Sequence, residues 1–128
     1  MNQRTEGIVF VALMIALSLV FQVQIKLLAS TLGPLLAKAQ DWRGVAGALV
    51  TASLGWRSFF IVVLAGLLFL LWLLALTRLE LSFALPLASI AFVITAVGGG
   101  LWLGEDLSWV RILGLITTAV GIGLVVRS

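Results

Sequence analysis

The fold of this chain is decided by one stretch, SFFIVVLAGLLFLLWLLALT, which occupies residues 58–77. The stretch carries no charged side chain. A helix of about 20 apolar residues is long enough to cross the ~30 Å hydrocarbon core of a bilayer. Trp72 lies near one end, and tryptophan is enriched where membrane helices meet the interface. The stretch is therefore predicted to be a transmembrane helix.

Three further apolar runs flank this helix, at residues 7–28, 81–103 and 109–126. Over the 128 residues, 62% are hydrophobic, 10% are charged and the mean hydropathy is +1.27. A soluble domain carries about a quarter charged residues. We therefore predict an all-α membrane protein, with four transmembrane helices forming a single domain over residues 1–128. Arg127 would anchor the fourth span at its interface.

The first run also allows a second interpretation, a cleaved signal peptide, because the polar start MNQRTE precedes it. The apolar core of a signal peptide is usually about 7–15 residues long, and this run is longer. The segment LLASTLG is only a fair cleavage site. A retained first span is the favoured interpretation.

The segment between the first two spans, residues 34–54, has a different pattern. Gly33 and Pro34 are expected to end the first helix, because proline cannot donate a backbone hydrogen bond. Apolar residues then recur at helical spacing, with Trp42 among them, while Lys38 and Arg43 fall on another face. This pattern is typical of an amphipathic helix lying in the membrane interface. A disordered loop and a short re-entrant piece are the alternatives.

The distribution of basic residues favours one orientation only weakly. With four spans the two termini share one side of the membrane, which would carry Arg4, Arg78 and Arg127, and the other side would carry Lys26, Lys38, Arg43, Arg57 and Arg111. By the positive-inside rule, the excess leans toward termini that face away from the cytoplasm. If Lys26 and Arg111 lie within the bilayer, the two sides carry equal numbers of basic residues.

The composition also excludes several classes of function. The chain has no Cys and no His, so it lacks the usual zinc ligands, thiolate chemistry and the commonest general base. No pairing of nucleophile and base is available for an enzyme. The charges are scattered between apolar runs and form no basic tract, which gives nucleic-acid binding no support. We expect no catalytic residues, no metal and no cofactor.

Polar residues in the first span are the main candidates for binding. Ser18, Gln22 and Lys26 follow one another at intervals of four, so they share one face of a helix. A charged lysine costs about 2.5–3.5 kcal/mol at the bilayer centre and less near a helix end. Three interpretations of Lys26 remain open. It marks the interface, it binds an anion together with Gln22, or it pairs with Glu105 or Asp106.

The acidic residues lie between spans. Glu105 and Asp106 come just before Ser108, at the start of the fourth span, where carboxylates suit the positive end of a helix and Asp106 or Ser108 can cap it. Arg78 and Glu80, in the hairpin between the second and third spans, are expected to form an exposed ion pair that contributes little.

Small residues indicate where helices approach one another. Glycine is the residue that allows the closest approach of membrane helices, and the candidates for helix packing and dimer contact are Gly98, Gly99, Gly100, Gly114, Gly121 and Gly123. Pro86 is expected to add a break early in the third span. A single four-span chain cannot easily enclose a path, so a dimer is expected, with a groove formed by spans one to three and with span four holding the pair together.

Residues 71–126 resemble the C-terminal half of a four-span unit of the drug/metabolite transporter superfamily. They share its short hairpin, the Pro-containing entry to the third helix, the pair GE and a fourth helix of the form GxxxxxxGIxLV. Within that superfamily the chain is most similar to the EamA-like flippase subunits for undecaprenyl-phosphate-linked aminoarabinose. The motifs are the run LWLL, Pro86 with Ser89, Glu105, and Gln22 four positions before Lys26. The resemblance covers roughly two thirds of the chain.

The resemblance implies a flippase or transporter in a bacterial inner membrane, acting by alternating access. Its partners would be membrane lipids, a lipid-linked phosphate substrate, and a second copy or a similar four-span chain. The resemblance also makes Glu105 a candidate for substrate binding, through coupling or through contact with a sugar amine. Residues 31–57 are longer than the compact loop of those subunits, so the role of this segment does not transfer. The small multidrug resistance exporters carry an acid within the first span, whereas residues 7–26 here have none. A cationic drug or metabolite exporter and a non-transporting accessory subunit are the alternative functions.

Overall fold

The computed structural model describes residues 2–102 and 104–128. Within these residues there are helices and no strand, and four helical segments are long and apolar enough to cross a membrane: Gln3–Ala37, Trp56–Leu76, Leu81–Trp102 and Trp109–Arg127. The prediction of an all-α membrane protein is confirmed. Leu103, the expected end of the third span, lies outside the described residues. The helices are α1 (Gln3–Ala37), α2 (Trp42–Ser53), α3 (Trp56–Leu76), α4 (Leu81–Ala88), α5 (Ile90–Trp102) and α6 (Trp109–Arg127).

The first helix is longer than the sequence pattern predicted. The expectation that Gly33 and Pro34 end it is wrong, because α1 continues through Pro34 to Ala37. A proline removes one backbone hydrogen bond, and long membrane helices tolerate such a loss. The hydroxyls of Ser30 and Thr31 donate to carbonyls one turn earlier in the same helix, at 2.8 and 2.7 Å. The helix therefore ends a few residues after the proline and not before it.

The predicted interfacial segment is divided by this extension. Its first residues belong to α1, and the separate helix α2 begins only at Trp42. Asp41 sets this start, because its side chain accepts a hydrogen bond from the backbone N–H of Gly44 at 2.9 Å, the arrangement of an N-cap. At about 1.5 Å per residue, α2 is too short to cross a bilayer. Its placement in the membrane interface stays a prediction.

The second and third spans pack against α1, and the fourth packs against the third. Helix α1 contacts α2, α3, α4 and α5, whereas α6 contacts only α4 and α5 among the described helices. The best-buried cluster lies where α1, α3 and α4 meet, and it consists of Val11, Ala75, Leu79 and Ala84. The first span is thus central and the fourth is peripheral.

Close packing near the start of α1 fixes the hairpin between α3 and α4. A Cβ atom on Gly7 would lie 2.5 Å from Leu79 Cγ, so only glycine lets the hairpin come this close. Arg78 Nη1 then lies 3.2 Å from Glu6 Oε2. The expected pairing of Arg78 with Glu80 is therefore wrong, because the hairpin leans onto α1 and offers Arg78 a carboxylate from a distant part of the chain.

The third span is interrupted, but not at the proline. Pro86 lies inside α4, and the break between α4 and α5 falls at Ser89. The Ser89 hydroxyl donates to the Pro86 carbonyl, and the Ser89 N–H bonds to the carbonyls of Leu85 and Pro86. The predicted break is present, displaced three positions along the helix.

Candidate substrate site

A cavity of about 320 Å³ lies between the first span and the second half of the third span. We call it the Lys26 cavity. Its α1 wall presents residues spaced at three and four, as one face of a helix requires, and its other wall comes from α5 and the following loop. The lining residues are Leu19, Gln22, Val23, Lys26, Ile94, Thr95, Gly98, Gly99, Trp102 and Glu105. No residue of α3 lines it, so the cavity is narrower than the expected groove of spans one to three.

Lys26 and Glu105 meet at one end of this cavity. The Lys26 ammonium donates a hydrogen bond to Glu105 Oε1 and forms an ion pair with it. The side chains keep 54% and 41% of their surface exposed, respectively, so the pair lies at the surface of the chain. The hydrogen bond from Lys26, and then its charge, hold the pKa of Glu105 below its usual value. Of the interpretations of Lys26, pairing with Glu105 is the one whose geometry the structure contains.

The loop after α5 brings Glu105 to the cavity. Gly104 has a left-handed backbone conformation, with φ of 65°, which favours glycine. The Glu105 N–H then donates to the Gly99 carbonyl at 3.2 Å. A Cβ atom on Gly99 would lie 3.1 Å from Glu105 Oε2, so glycine at this position leaves space for the carboxylate. The turn therefore folds the carboxylate back over the end of the third span.

The glycines of the third span have neighbours within their own chain. A Cβ atom on Gly100 would lie 2.3 Å from Leu107 Cδ1, and one on Gly98 would lie 3.4 Å from Trp102 Cε3. These glycines were expected to receive a neighbouring helix. Gly99 and Gly100 instead receive the loop before α6, and this close approach positions Glu105.

Gln22 is half-buried in the cavity wall and makes no side-chain hydrogen bond to another described residue. Its amide can donate and accept, so it remains available to a ligand beside Lys26. Ser18, the third member of the predicted stripe, does not line the cavity. Its hydroxyl donates to the Ile15 carbonyl of the same helix at 2.7 Å. The structure brings Gln22, Lys26 and Glu105 together and leaves Ser18 apart.

The sequence did not single out two residues of the α5 wall. Thr95 lines the cavity, with its hydroxyl donating to the Ala91 carbonyl at 2.7 Å, and Trp102 lines it as well. The signal was present in the spacing, because Thr95, Gly99 and Trp102 recur at four and three and therefore share a helix face. The sequence alone does not show that this face of α5 packs against α1.

The start of α6 is capped as the sequence predicted. Ser108 is the N-cap, and its hydroxyl accepts a hydrogen bond from the Arg111 N–H at 3.3 Å. Arg111 also donates from Nη1 to the Asp106 carbonyl at 3.1 Å. The Asp106 carboxylate, the alternative cap, is not used in this way. The cap of α6 therefore does not involve Glu105, whose carboxylate pairs with Lys26.

The glycines of α6 face open space. A Cβ atom on Gly114, Gly121 or Gly123 would meet no described atom within 4 Å. Gly114 and Gly121 are seven positions apart and share a helix face, whereas Gly123 lies about 200° around the helix from Gly121. The dimer contact predicted for these glycines is thus sterically possible at Gly114 and Gly121 on one common face.

The four apolar helices and the polar pair at the Lys26 cavity are features of a small, multi-pass, transporter-like membrane protein. No protein-family model matches the chain, and no solved structure matches it. A segment of 53 residues is 42% identical to the "Probable 4-amino-4-deoxy-L-arabinose-phosphoundecaprenol flippase subunit ArnF" of Shewanella sediminis (strain HAW-EB3). The matched segment covers 40% of this chain and 37% of that relative. The relative is named as a transporter subunit and not as an enzyme.

Proposed function

We propose that this chain is a subunit of a flippase that moves a polyprenyl-phosphate-linked lipid across the bacterial inner membrane. It would belong to the EamA-like branch of the drug/metabolite transporter superfamily. One observation carries the proposal: Lys26 and Glu105 form an ion pair at the end of a cavity whose walls are largely apolar. The partial match to a phosphoundecaprenol flippase subunit agrees with this chemistry.

The ion pair suits a lipid whose headgroup carries both charges. The substrate named for the relative contains an amino group and a phosphate. In our proposal the phosphate takes the place of Glu105 on the Lys26 ammonium, with the Gln22 amide as a second donor, and the amino group takes the place of Lys26 on Glu105. Each charge then exchanges one partner for another, so neither is left unpaired beside apolar walls. The prenyl chain would remain in the bilayer.

The empty site is also electrostatically satisfied under this proposal. Lys26 and Glu105 neutralise each other when no lipid is bound, which lowers the cost of keeping two charges near the membrane. A headgroup with only one charge would pair with either Lys26 or Glu105 and would leave the other side chain without a partner. The site would therefore discriminate in favour of lipids that carry an amine as well as a phosphate.

We infer a dimer as the working unit, formed by two copies or with a similar four-span chain. The face of α6 that carries Gly114 and Gly121 has no neighbour among the described residues, and small residues favour contact between membrane helices. The name of the relative, a flippase subunit, is consistent with a partnered protein. The two chains would rock about the cavities, giving access from one membrane face and then the other.

Export of a cationic drug or metabolite is the second candidate, because Glu105 places a carboxylate at the cavity. Exchange of a cation for a proton requires that carboxylate to gain a proton near neutral pH. The hydrogen bond and charge of Lys26 lower the pKa of Glu105 and keep it ionised there. The geometry therefore favours a lipid phosphate over proton-coupled cation export.

The proposal is tested by lipid movement in vesicles. The full chain is reconstituted in phosphatidylcholine vesicles with a fluorescent aminoarabinose-phosphopolyprenol lipid, and the fraction of lipid moved between leaflets is followed by quenching from outside. Because each substitution removes one charged partner of the headgroup, Lys26→Ala and Glu105→Ala should each slow movement about tenfold. Lys38→Ala and Asp106→Ala, which change the same charges away from the cavity, should have little effect.

The alternatives give different results in the same vesicles. Movement of the lipid that is equally fast in wild type and Lys26→Ala would exclude the Lys26 cavity as the headgroup site. Uptake of a cationic dye driven by a proton gradient, abolished by Glu105→Ala, would support the exporter. If wild type moves neither probe alone but restores movement by a partner chain regardless of Lys26, the chain is an accessory subunit.

A further inference from the structure

A second cavity, of about 500 Å³, lies at the other end of the first span. We call it the Arg4 cavity. It is lined by the start of α1, by the hairpin and first turn of α4, and by the last turn of α6. Arg4, Arg78, Glu80, Ser82 and Phe83 contribute its polar and aromatic wall. It shares no lining residue with the Lys26 cavity.

The two cavities lie about one membrane thickness apart along the same helix. Lys26 follows Arg4 by 22 positions in α1. At a rise of about 1.5 Å per residue this separation is roughly 33 Å, close to the ~30 Å of the hydrocarbon core. The third span connects the cavities on the other side, since α4 lines the Arg4 cavity and α5 lines the Lys26 cavity.

The side chains of the Arg4 cavity repeat the chemistry of the Lys26 cavity. Arg4 packs its guanidinium on the Phe83 ring, 4.8 Å from the ring centroid, and forms no ion pair with a described carboxylate. Glu80 and Ser82 also face this cavity, and neither side chain makes a hydrogen bond to another described residue. Arg78 is paired with Glu6, but a guanidinium has five N–H donors. Cationic, anionic and hydroxyl groups are therefore available together.

A guanidinium held over an aromatic ring keeps N–H donors that are not used by the ring, and these donors suit the oxygens of a phosphate. Glu80 offers a partner for an amine on the same ligand. Arg4 and Glu80 do not pair with each other in this cavity. Both are therefore available to a headgroup that carries a negative and a positive charge. The carboxylates of Glu6 and Glu80 repel a phosphate. A phosphate therefore binds here only if Arg4 supplies a positive charge.

We propose that the Arg4 cavity is a second headgroup site for a phosphate-bearing lipid, at the membrane face opposite the Lys26 cavity. This inference rests on the proposed flippase function, because it gives the lipid a binding site on each side of the bilayer. The headgroup would leave one site and reach the other along the seam between α1 and the third span, while the lipid tail stays in the membrane.

Binding at the Arg4 cavity is measurable without transport. The chain has no Cys, so Ser82→Cys introduces a single thiol at an exposed position of the cavity wall. The variant is reconstituted in phosphatidylcholine vesicles and labelled with a membrane-impermeant maleimide, with or without undecaprenyl phosphate. We expect undecaprenyl phosphate to slow labelling about tenfold, as a bound headgroup that covers nine-tenths of the sites would do. Undecaprenol, which has no phosphate, should give no protection.

Arg4 is the residue on which this protection depends. Arg4→Gln should abolish the protection and Arg4→Lys should retain most of it, since a lysine keeps the charge. Arg127→Gln is the matched control, because Arg127 lies at the same end of the spans and does not line the cavity. Lys26→Ala should leave the protection intact.

The outcomes separate the two proposals. Unchanged labelling with undecaprenyl phosphate, or protection that survives Arg4→Gln, would overturn the second site even if lipid movement still depends on Lys26. Equal protection by inorganic phosphate would also overturn it, since the cavity would then bind free phosphate and not a lipid headgroup. Protection that depends on Arg4, in a protein that moves no lipid either alone or with a partner chain, would overturn the flippase function and leave a lipid-phosphate binding site.

Discussion

Lys26 and Glu105 are 79 positions apart in the chain, and the Lys26 ammonium donates directly to the Glu105 carboxylate. Lys26 belongs to a helix of the first span, and Glu105 belongs to the turn after the third. The pair therefore joins two spans at one end of the Lys26 cavity. Because both side chains are substantially exposed, the pair contributes little to stability. The proposed function depends on its charges.

The first prediction concerns the pKa of Glu105. Lys26→Ala should raise it toward that of an ordinary glutamate, since the hydrogen bond and charge of Lys26 are its main causes of lowering. Lys26→Arg should keep it lowered, and Arg111→Ala should raise it less, because the Arg111 charge is a smaller cause. The pKa is measured by ¹³C NMR of the labelled Glu carboxyl groups in detergent micelles during a pH titration.

The same shift has a defined sign for pH dependence. A carboxyl group with a lowered pKa holds its ion pair above that pKa and loses it as the pH falls through it. The pair should therefore persist through the neutral range and break only in acid below the usual pKa of glutamate. A Glu105 that gains a proton near pH 6 would contradict this assignment.

A second prediction concerns the packing of the third span against the following loop. Gly100→Ala should destabilise the chain by about 1–3 kcal/mol, the usual cost of overpacking, because the added Cβ would lie 2.3 Å from Leu107 Cδ1. The free energy of unfolding is measured by denaturant titration in mixed micelles. Gly66→Ala is the control, since a Cβ there meets no described atom within 4 Å. Equal losses in the two variants would exclude the contact with Leu107 as the cause.

A third prediction tests the outer face of α6. Gly121→Leu should lower the association constant of the dimer at least about tenfold, because a bulky side chain prevents close helix contact. Gly123→Leu should change it little, since Gly123 lies on another side of the helix. Energy transfer between labelled copies in vesicles, at varied protein-to-lipid ratios, measures the association. A similar effect of both substitutions would argue that α6 does not hold the pair through this face.

A fourth prediction concerns the start of α2. Asp41→Ala should destabilise this helix by about 1 kcal/mol, the typical contribution of an N-cap, because the Gly44 N–H loses the side chain that accepts from it. Hydrogen exchange of the α2 amides should then accelerate several-fold, while that of α3 stays the same. Gln40→Ala, next to the cap, should leave both unchanged. Unchanged exchange in Asp41→Ala would show that contacts with α1 and α3 determine the helix.

The sequence predicted those features that depend on local pattern. Apolar runs gave the four spans because hydropathy and length alone decide whether a helix suits a bilayer, and Ser108 was recognised as a cap because capping is a property of adjacent residues. The end of α1 was wrong, since Pro34 weakens a helix locally but does not determine whether the rest of a long membrane helix continues past it.

The candidate site was predictable only in part, because it depends on contacts between distant residues. Gln22 and Lys26 were recognised as polar residues in an apolar run, and Glu105 was recognised from the resemblance, but no local signal decides which cation meets which carboxylate. Arg78 illustrates this, since it pairs with Glu6 and not with the nearby Glu80. The wall formed by Thr95 and Trp102 required the knowledge that α5 packs on α1.

The break at Ser89 gives the two sides of the molecule different mechanical properties. Between Gly7 and Gly33, α1 contains no glycine and no proline, so the helix has no weak point over most of the distance between the two cavities. The third span, which faces α1, is interrupted at Ser89, between the half that lines the Arg4 cavity and the half that lines the Lys26 cavity. Under the proposed two-site function, a small tilt of α1 relative to this break would widen one cavity as it narrows the other.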